Sequence, residues 1–121
     1  MIFGIGTDIV ELDRVKNLSN LDKFSKKILS TNEINHFKTL NSEERIRYLA
    51  KQFVAKESVA KAIRQGFNKK IKISSIEILR DSNGAPICNL TNNTCNLKLK
   101  NIHISLSDEE KYAIGFAILE I

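Results

Sequence analysis

The sequence predicts an α+β domain with an N-terminal strand, short helices, one long central helix and then an antiparallel strand meander. Three observations predict it. Residues 2–12 alternate as a strand does, residues from about 42 to 65 carry an apolar stripe of helical period, and from Lys70 onward the pattern turns strand-like to the end. The 121 residues read as one domain over 1–121, large enough to bury roughly two thirds of its unfolded surface.

In the first element Ile2, Gly4, Gly6, Asp8 and Val10 share one strand face, and Phe3, Ile5, Thr7 and Ile9 the other. Asp8 therefore sits mid-strand behind two glycines, which leave room for something to approach the backbone beside the carboxylate. Asp8 can equally be an acid that accepts backbone hydrogen bonds at a bulge or caps the next helix. Gly4-Ile5-Gly6 is no dinucleotide fingerprint, because Ile9 stands where a third glycine would be needed.

Short helices follow over Asp13–Leu18 and Leu21–Leu29. Ser30 with Glu33 three residues on is a capping box that opens a third helix, on which His36 is a surface residue. Asn41-Ser42-Glu43-Glu44 starts the central helix, with acids where the helix dipole favours them, and Gly66 is expected to end it. Its stripe runs Ile46, Leu49, Ala50, Phe53, and the next member is Glu57. Four positions on is only about 40° round a helix, so a carboxylate points toward the core side, with Lys61 one turn later beside it. The pair reads either as an i,i+4 salt bridge at the edge of the stripe or as part of a site.

Ser75–Arg80 is the next strand, and Asp81-Ser82-Asn83-Gly84 a strong turn signal. Ala85–Leu90 and Cys95–Leu99 are expected as strands around a turn at Thr91–Thr94, with Pro86 at a strand start or sheet edge. In Ile102–Leu106 the polar His103, Ser105 and Ser107 fall on one side; that face is either solvated or lines a pocket. Tyr112–Ile121 closes the chain as an apolar strand.

Composition is that of an ordinary globular fold, 42% hydrophobic and 27% charged, with no apolar run near the ~18 residues of a membrane span. No basic region precedes an apolar one at the N-terminus, so no signal peptide is visible and the expected compartment is cytoplasmic. There Cys88 and Cys95 read as free thiols, and a lone pair at this spacing is no zinc pattern. The net charge of +5 and pI near 9.3 point to acidic partners. A small basic nucleic-acid-binding protein is the alternative reading, supported by the clusters Lys23, Lys26, Lys27 and Lys69, Lys70, Lys72. No basic stripe interleaves with aromatics, which weakens it.

Taken together, Gly4-Ile5-Gly6-Thr7-Asp8-Ile9-Val10-Glu11, Phe53…Lys56-Glu57-Ser58…Lys61-Ala62 and His103-Ile104-Ser105-Leu106-Ser107 form a specific constellation. With Ile28–Glu33, the Asn83-Gly84-Ala85-Pro86 turn and the apolar end from Tyr112, the whole chain closely resembles the holo-[acyl-carrier-protein] synthases. These are the small bacterial class of 4'-phosphopantetheinyl transferase. The resemblance implies that family's fold and a Mg²⁺-dependent transfer of the phosphopantetheine arm of coenzyme A to a serine of an acidic apo acyl carrier protein, releasing adenosine 3',5'-bisphosphate. It implies Asp8, Glu57 and Lys61 as the catalytic set, with Asp8 and Glu57 on Mg²⁺ and Lys61 on the pyrophosphate. His103 and Ser105 would line the coenzyme cleft, Asn83, Gly84 and Pro86 would lie near the adenine, and Arg14, Lys23 and Lys27 would face the carrier. A homotrimer with sites between subunits is implied, and neither nucleic acid nor membrane as partner. Gln52 departs from the arginine expected there, which removes one contact at the cleft or to the coenzyme. A metal-bound water or Asp8 itself would take the serine's proton.

Overall fold

The computed structural model describes residues 1–65, 71–91 and 97–121. Strand β1 (Ile2–Glu11) leads into three short helices, α1 (Leu12–Lys16), α2 (Leu21–Ile28) and α3 (Thr31–Phe37). The long helix α4 (Ser42–Ile63) follows, and a 3₁₀ turn at Ile73–Ser75 precedes β2 (Ile76–Arg80), β3 (Pro86–Leu90), β4 (Asn101–Asp108) and β5 (Tyr112–Glu120). Among the described residues, no helix is long and apolar enough to cross a membrane.

The meander resolves into two antiparallel hairpins that belong to different sheets. Among the described residues β2 pairs only with β3, whereas β5 lies between β4 and β1, giving the order β1-β5-β4. The N-terminal strand thus joins the C-terminal one, Asp8 opposite Gly115 and Thr7 opposite Phe116.

Helix α4 is the spine shared by two cores. Its first half (Leu49, Ala50, Val54) packs with Val10, Leu12, Val15, Ile28, Leu29, Phe37 and Ala113. Its second half (Ala55, Val59, Ala60, Ala62, Ile63) packs with Ile71, Ile76, Ile78, Ala117 and Leu119. Because the three-stranded sheet covers one side and β2 with the short helices another, α4 is buried nearly all round from Leu49 to Ile63. The stripe read from sequence is one margin of that surface: Leu49 and Ala50 are buried, while Ile46, Phe53 and Glu57 are half-buried.

Local signals hold where short-range chemistry decides. Ser30 and Glu33 form a reciprocal capping box, and Asn41 with Glu44 forms a second. In the β2–β3 turn the Asp81 carboxylate accepts from the amides of Asn83 (2.8 Å) and Ala85 (2.9 Å), and Gly84 takes φ +82°. Pro86 opens β3 opposite Arg80, where its missing N–H costs no ladder bond.

Three expectations are corrected. The central helix stops at Ile63 with Arg64 in the left-handed conformation; Gly66, the expected terminator, lies outside the described residues. The strand expected over Cys95–Leu99 does not form in its described part. Leu97 and Leu99 are half-buried against the core, but the Leu99 amide turns back on the Leu97 carbonyl instead of joining a ladder. Cys95, Lys69 and Lys70 are outside the described residues, while Cys88 is a free thiol whose pKa burial pushes up to about 12, leaving it unreactive. Lastly, the space beside Gly4 and Gly6 is taken by α4 and not by a ligand: a Cβ on Gly4 would stand 2.0 Å from the Ala62 carbonyl oxygen, and one on Gly6 1.9 Å from that of Ser58.

Candidate active site

That backbone-to-backbone contact builds the site. With no side chains between them, β1 and α4 approach so closely that residues flanking the contact converge. Asp8 follows Gly6 on the same strand face, and Glu57 and Lys61 flank Ser58 on the helix. Lys61 Nζ donates to the Thr7 carbonyl oxygen (2.8 Å) and to Asp8 Oδ1 (3.3 Å). Lysine thus bridges to the strand rather than pairing with Glu57 on its own helix.

Glu57 is left without a hydrogen bond or ion pair among the described residues. Burial raises its pKa, the charge of Asp8 raises it further, and Lys61 pulls it back. Two carboxylates close enough to repel, with one lysine touching only one of them, form an arrangement short of positive charge. Among the described residues no third His, Cys, Asp or Glu joins them. The pair fits Mg²⁺, which takes one or two carboxylates and completes its octahedron with water and substrate phosphate.

The other sequence candidates lie elsewhere on the chain. His103 and Ser105 are on the outer face of the three-stranded sheet, away from α4, and His103 Nε2 lies 2.8 Å from Glu120 Oε2. Asn83, Gly84 and Pro86 sit beyond Arg80. That residue lines a largely apolar cavity of about 540 Å³ with His36, Glu44, Arg47, Tyr48 and Lys51. Tyr48 is about two and a half helical turns from Glu57. Arg14, Lys23 and Lys27 are exposed on α1 and α2, with no ion pairs among the described residues.

Sequence reasoning missed the buried charge at the centre. Lys56 and Glu33 are both fully buried, with Lys56 Nζ 2.7 Å from Glu33 Oε1. Lys56 also donates to the carbonyls of Ile73 (3.2 Å) and Ile76 (2.6 Å), so three acceptors meet the three N–H bonds of an ammonium. Burial lowers the Lys56 pKa and Glu33 opposes that shift. Gln52, one turn earlier, donates to Glu33 Oε2 and to the Ile78 carbonyl (2.9 Å). The residue in place of the expected arginine is therefore committed to the interior.

Residues 4–117 match the 4'-phosphopantetheinyl transferase superfamily. The chain belongs to that superfamily. A holo-[acyl-carrier-protein] synthase of Shewanella denitrificans is 41% identical over 98% of this chain and 98% of its own. The crystal structure of the Neisseria meningitidis holo-[acyl-carrier-protein] synthase superposes with a TM-score of 0.89 at 32% identity, covering 100% of both chains. That of the Bacillus anthracis synthase, in complex with CoA (3',5'-ADP), superposes at 0.87 and 34% identity, covering 98% of this chain and 96% of its own. The transferase fold and family expected from the sequence are those observed, and the nucleic-acid-binding alternative finds no support among these relatives.

Proposed function

We propose that this transferase moves the 4'-phosphopantetheine arm of coenzyme A onto a serine hydroxyl of an apo acyl carrier protein. One observation carries the reading: Asp8 from β1 and Glu57 and Lys61 from α4 converge where the helix and strand backbones touch. The relatives agree with it, being holo-[acyl-carrier-protein] synthases, one of them in complex with coenzyme A.

In the step itself the serine oxygen forms a bond to the arm-side phosphorus of the diphosphate. The bond from that phosphorus to the bridging oxygen breaks, and adenosine 3',5'-bisphosphate leaves with the charge. Such a transfer needs positioning and neutralisation more than covalent help, which suits a site without a nucleophile of its own. Asp8 and Glu57 would hold Mg²⁺, which supplies charge neutralisation at the diphosphate. Lys61 faces the same group and offsets charge on the leaving phosphate. With Oδ1 held by Lys61, Asp8 keeps Oδ2 for the cation or for the serine's proton.

The donor's nucleotide end is assigned to the cavity beside the Asn83–Pro86 turn, whose apolar lining suits an adenine and whose rim carries Arg47, Lys51 and Arg80. In the same proposal the protein is a homotrimer whose neighbouring subunits share the site. A trimer is supported by the outer sheet face. Ile5 and Ile9 are 61% and 59% exposed, and Ile114, Phe116 and Tyr112 join them, a contiguous apolar surface of the kind subunits cover. His103 and Ser105 lie on that same face, Ser105 opposite Phe116, so covering it brings both into the cleft. Arg14, Lys23 and Lys27 present cations to the acidic carrier.

The deciding experiment mixes the protein with apo carrier protein, coenzyme A and Mg²⁺ and weighs the carrier by mass spectrometry. Gain of one phosphopantetheine arm, lost with chelator, is expected; an unchanged carrier retires the proposal.

A further inference from the structure

Arg64 is the one non-glycine residue with positive φ among those described, at φ 69° and ψ 20°. The left-handed region is where a residue without Cβ sits free of strain, and a helix end of this kind favours glycine. Here the position holds the bulkiest of cations. Its backbone makes the usual closing bonds, from its amide to the carbonyls of Ala60 (3.2 Å) and Lys61 (3.1 Å), which any residue supplies. The backbone therefore gives no reason for arginine.

The side chain does. Its guanidinium lies over the Phe3 ring, 5.9 Å from the centroid, an attraction that holds the group toward β1. Arg64 makes no ion pair among the described residues. It lines a cavity of about 390 Å³ with Ile2, Phe3, Gly4, Ile5 and Lys61. Two cations thus share one recess, and among the described residues only Lys61 has hydrogen-bond partners there, Asp8 and the Thr7 carbonyl. Among the described residues no side-chain N–H of Arg64 has an acceptor, and the planar fork of five donors beside Lys61 matches phosphate oxygens.

We infer that the Arg64 guanidinium binds a phosphate of the coenzyme A donor next to the group taken by Lys61, making Arg64 a donor-binding residue of the transfer reaction. The inference rests on the transferase reading above. A plain helix-end cation answering the helix dipole is the competing account, and it predicts no dependence on the donor.

The test uses the full chain with apo carrier protein and Mg²⁺, comparing wild type with Arg64→Gly and Arg64→Lys. Arg64→Gly keeps the backbone conformation while removing the cation. Its KM for coenzyme A should rise about 10-fold or more, as for loss of a charged hydrogen bond, with kcat and the carrier KM near wild type. The thermal midpoint should be equal to or above that of wild type, which separates lost binding from lost folding. Arg64→Lys should recover part of the donor affinity. Repeating the series with 3'-dephospho-coenzyme A locates the contact: an undiminished penalty assigns it to the diphosphate, a vanished one to the 3'-phosphate. A coenzyme A KM within about twofold of wild type in Arg64→Gly, or a rise confined to the carrier KM, overturns the inference and leaves the transferase reading standing. A wild-type protein that transfers nothing overturns both.

Discussion

Gly6 and Ser58 touch backbone to backbone, so that a Cβ on Gly6 would stand 1.9 Å from the Ser58 carbonyl oxygen and 2.9 Å from the Lys61 Cβ. Gly115 makes a similar contact on β5, where a Cβ would lie 2.7 Å from the Val54 carbonyl. The separation of helix and sheet, and with it the separation of Asp8 from Glu57, is thus set by residues that have no side chain.

Gly6→Ala tests that dependence. The obstacle is backbone, which cannot rotate away, so β1 and α4 must part. Overpacking of this kind costs about 1–3 kcal/mol, and the protein should still fold. Transfer activity should fall much further, on the order of 10²-fold, because roughly 1 Å of misplacement at a reacting centre costs that much. Urea melts alongside the carrier-modification assay check both. Near-normal turnover in a destabilised Gly6→Ala protein would show that the close contact serves packing alone.

Glu57 gives a prediction of opposite sign for stability and function. Its folded pKa lies above its unfolded one, chiefly through burial and then through Asp8, so the folded state binds the proton more tightly. The resulting penalty is absent below the unfolded pKa of about 4.3 and fully present above the folded pKa. Metal-free protein should therefore lose stability as pH rises through that window. Glu57→Gln should melt higher than wild type at pH 7, with the difference closing in acid, while transfer drops by on the order of 10²-fold or more. Added Mg²⁺ should raise the wild-type midpoint and leave that of Glu57→Gln unmoved. Melting curves across pH, with and without Mg²⁺, decide; a less stable Glu57→Gln at neutral pH contradicts the account.

What the sequence makes legible follows the range of the physics. Alternation in β1, the Ser30–Glu33 capping box, the helix start at Asn41 and the Asn83-Gly84 turn depend on neighbours a few residues apart, and each forms as expected. Asp8, Glu57 and Lys61 stand out because charges interrupt apolar patterns there. Lys56 and Gln52 do not, because a lysine beside a glutamate reads as surface until a second layer is known to cover that face of α4. A faint signal exists: Gln52 and Lys56 are one turn apart, so a single buried acid can meet both, and Glu33 is that acid. Residues 97–99 mislead for the complementary reason, since alternating leucines mark burial without saying whether a partner strand exists.

Lys56→Met should be among the most damaging single changes. It leaves the Glu33 carboxylate buried without its cation, at a cost of about 3–5 kcal/mol. Glu33→Gln keeps a side chain able to serve the capping box but strands the Lys56 ammonium, and should cost a similar amount. Together the two leave no unpaired charge, so the double variant should be clearly more stable than the sum of the singles implies. Denaturant midpoints for the four proteins of this cycle measure the coupling. Strict additivity would mean that the pair contributes no interaction energy.

The outer sheet face yields the last prediction. Phe116 stands at its centre, 42% exposed, between Thr7 on β1 and Ser105 on β4, with Ile5, Ile9 and Ile114 around it. A charge placed there meets water in a lone chain at little cost, since the position faces away from α4 and the core. Against a second copy of the same face it is desolvated and repelled by its own counterparts. If the proposed trimer is right, Phe116→Glu should fold with a near-normal melting profile at low concentration, yet sediment as a monomer while wild type sediments as a trimer. Under the proposed sharing of the site, Asp8, Glu57 and Lys61 are then parted from the neighbour's His103 and nucleotide cavity, so kcat/KM for coenzyme A should fall on the order of 10²-fold, chiefly through KM. Analytical ultracentrifugation with steady-state kinetics on the same samples reads both effects. A monomeric Phe116→Glu that transfers at the wild-type rate would place the whole site within one chain.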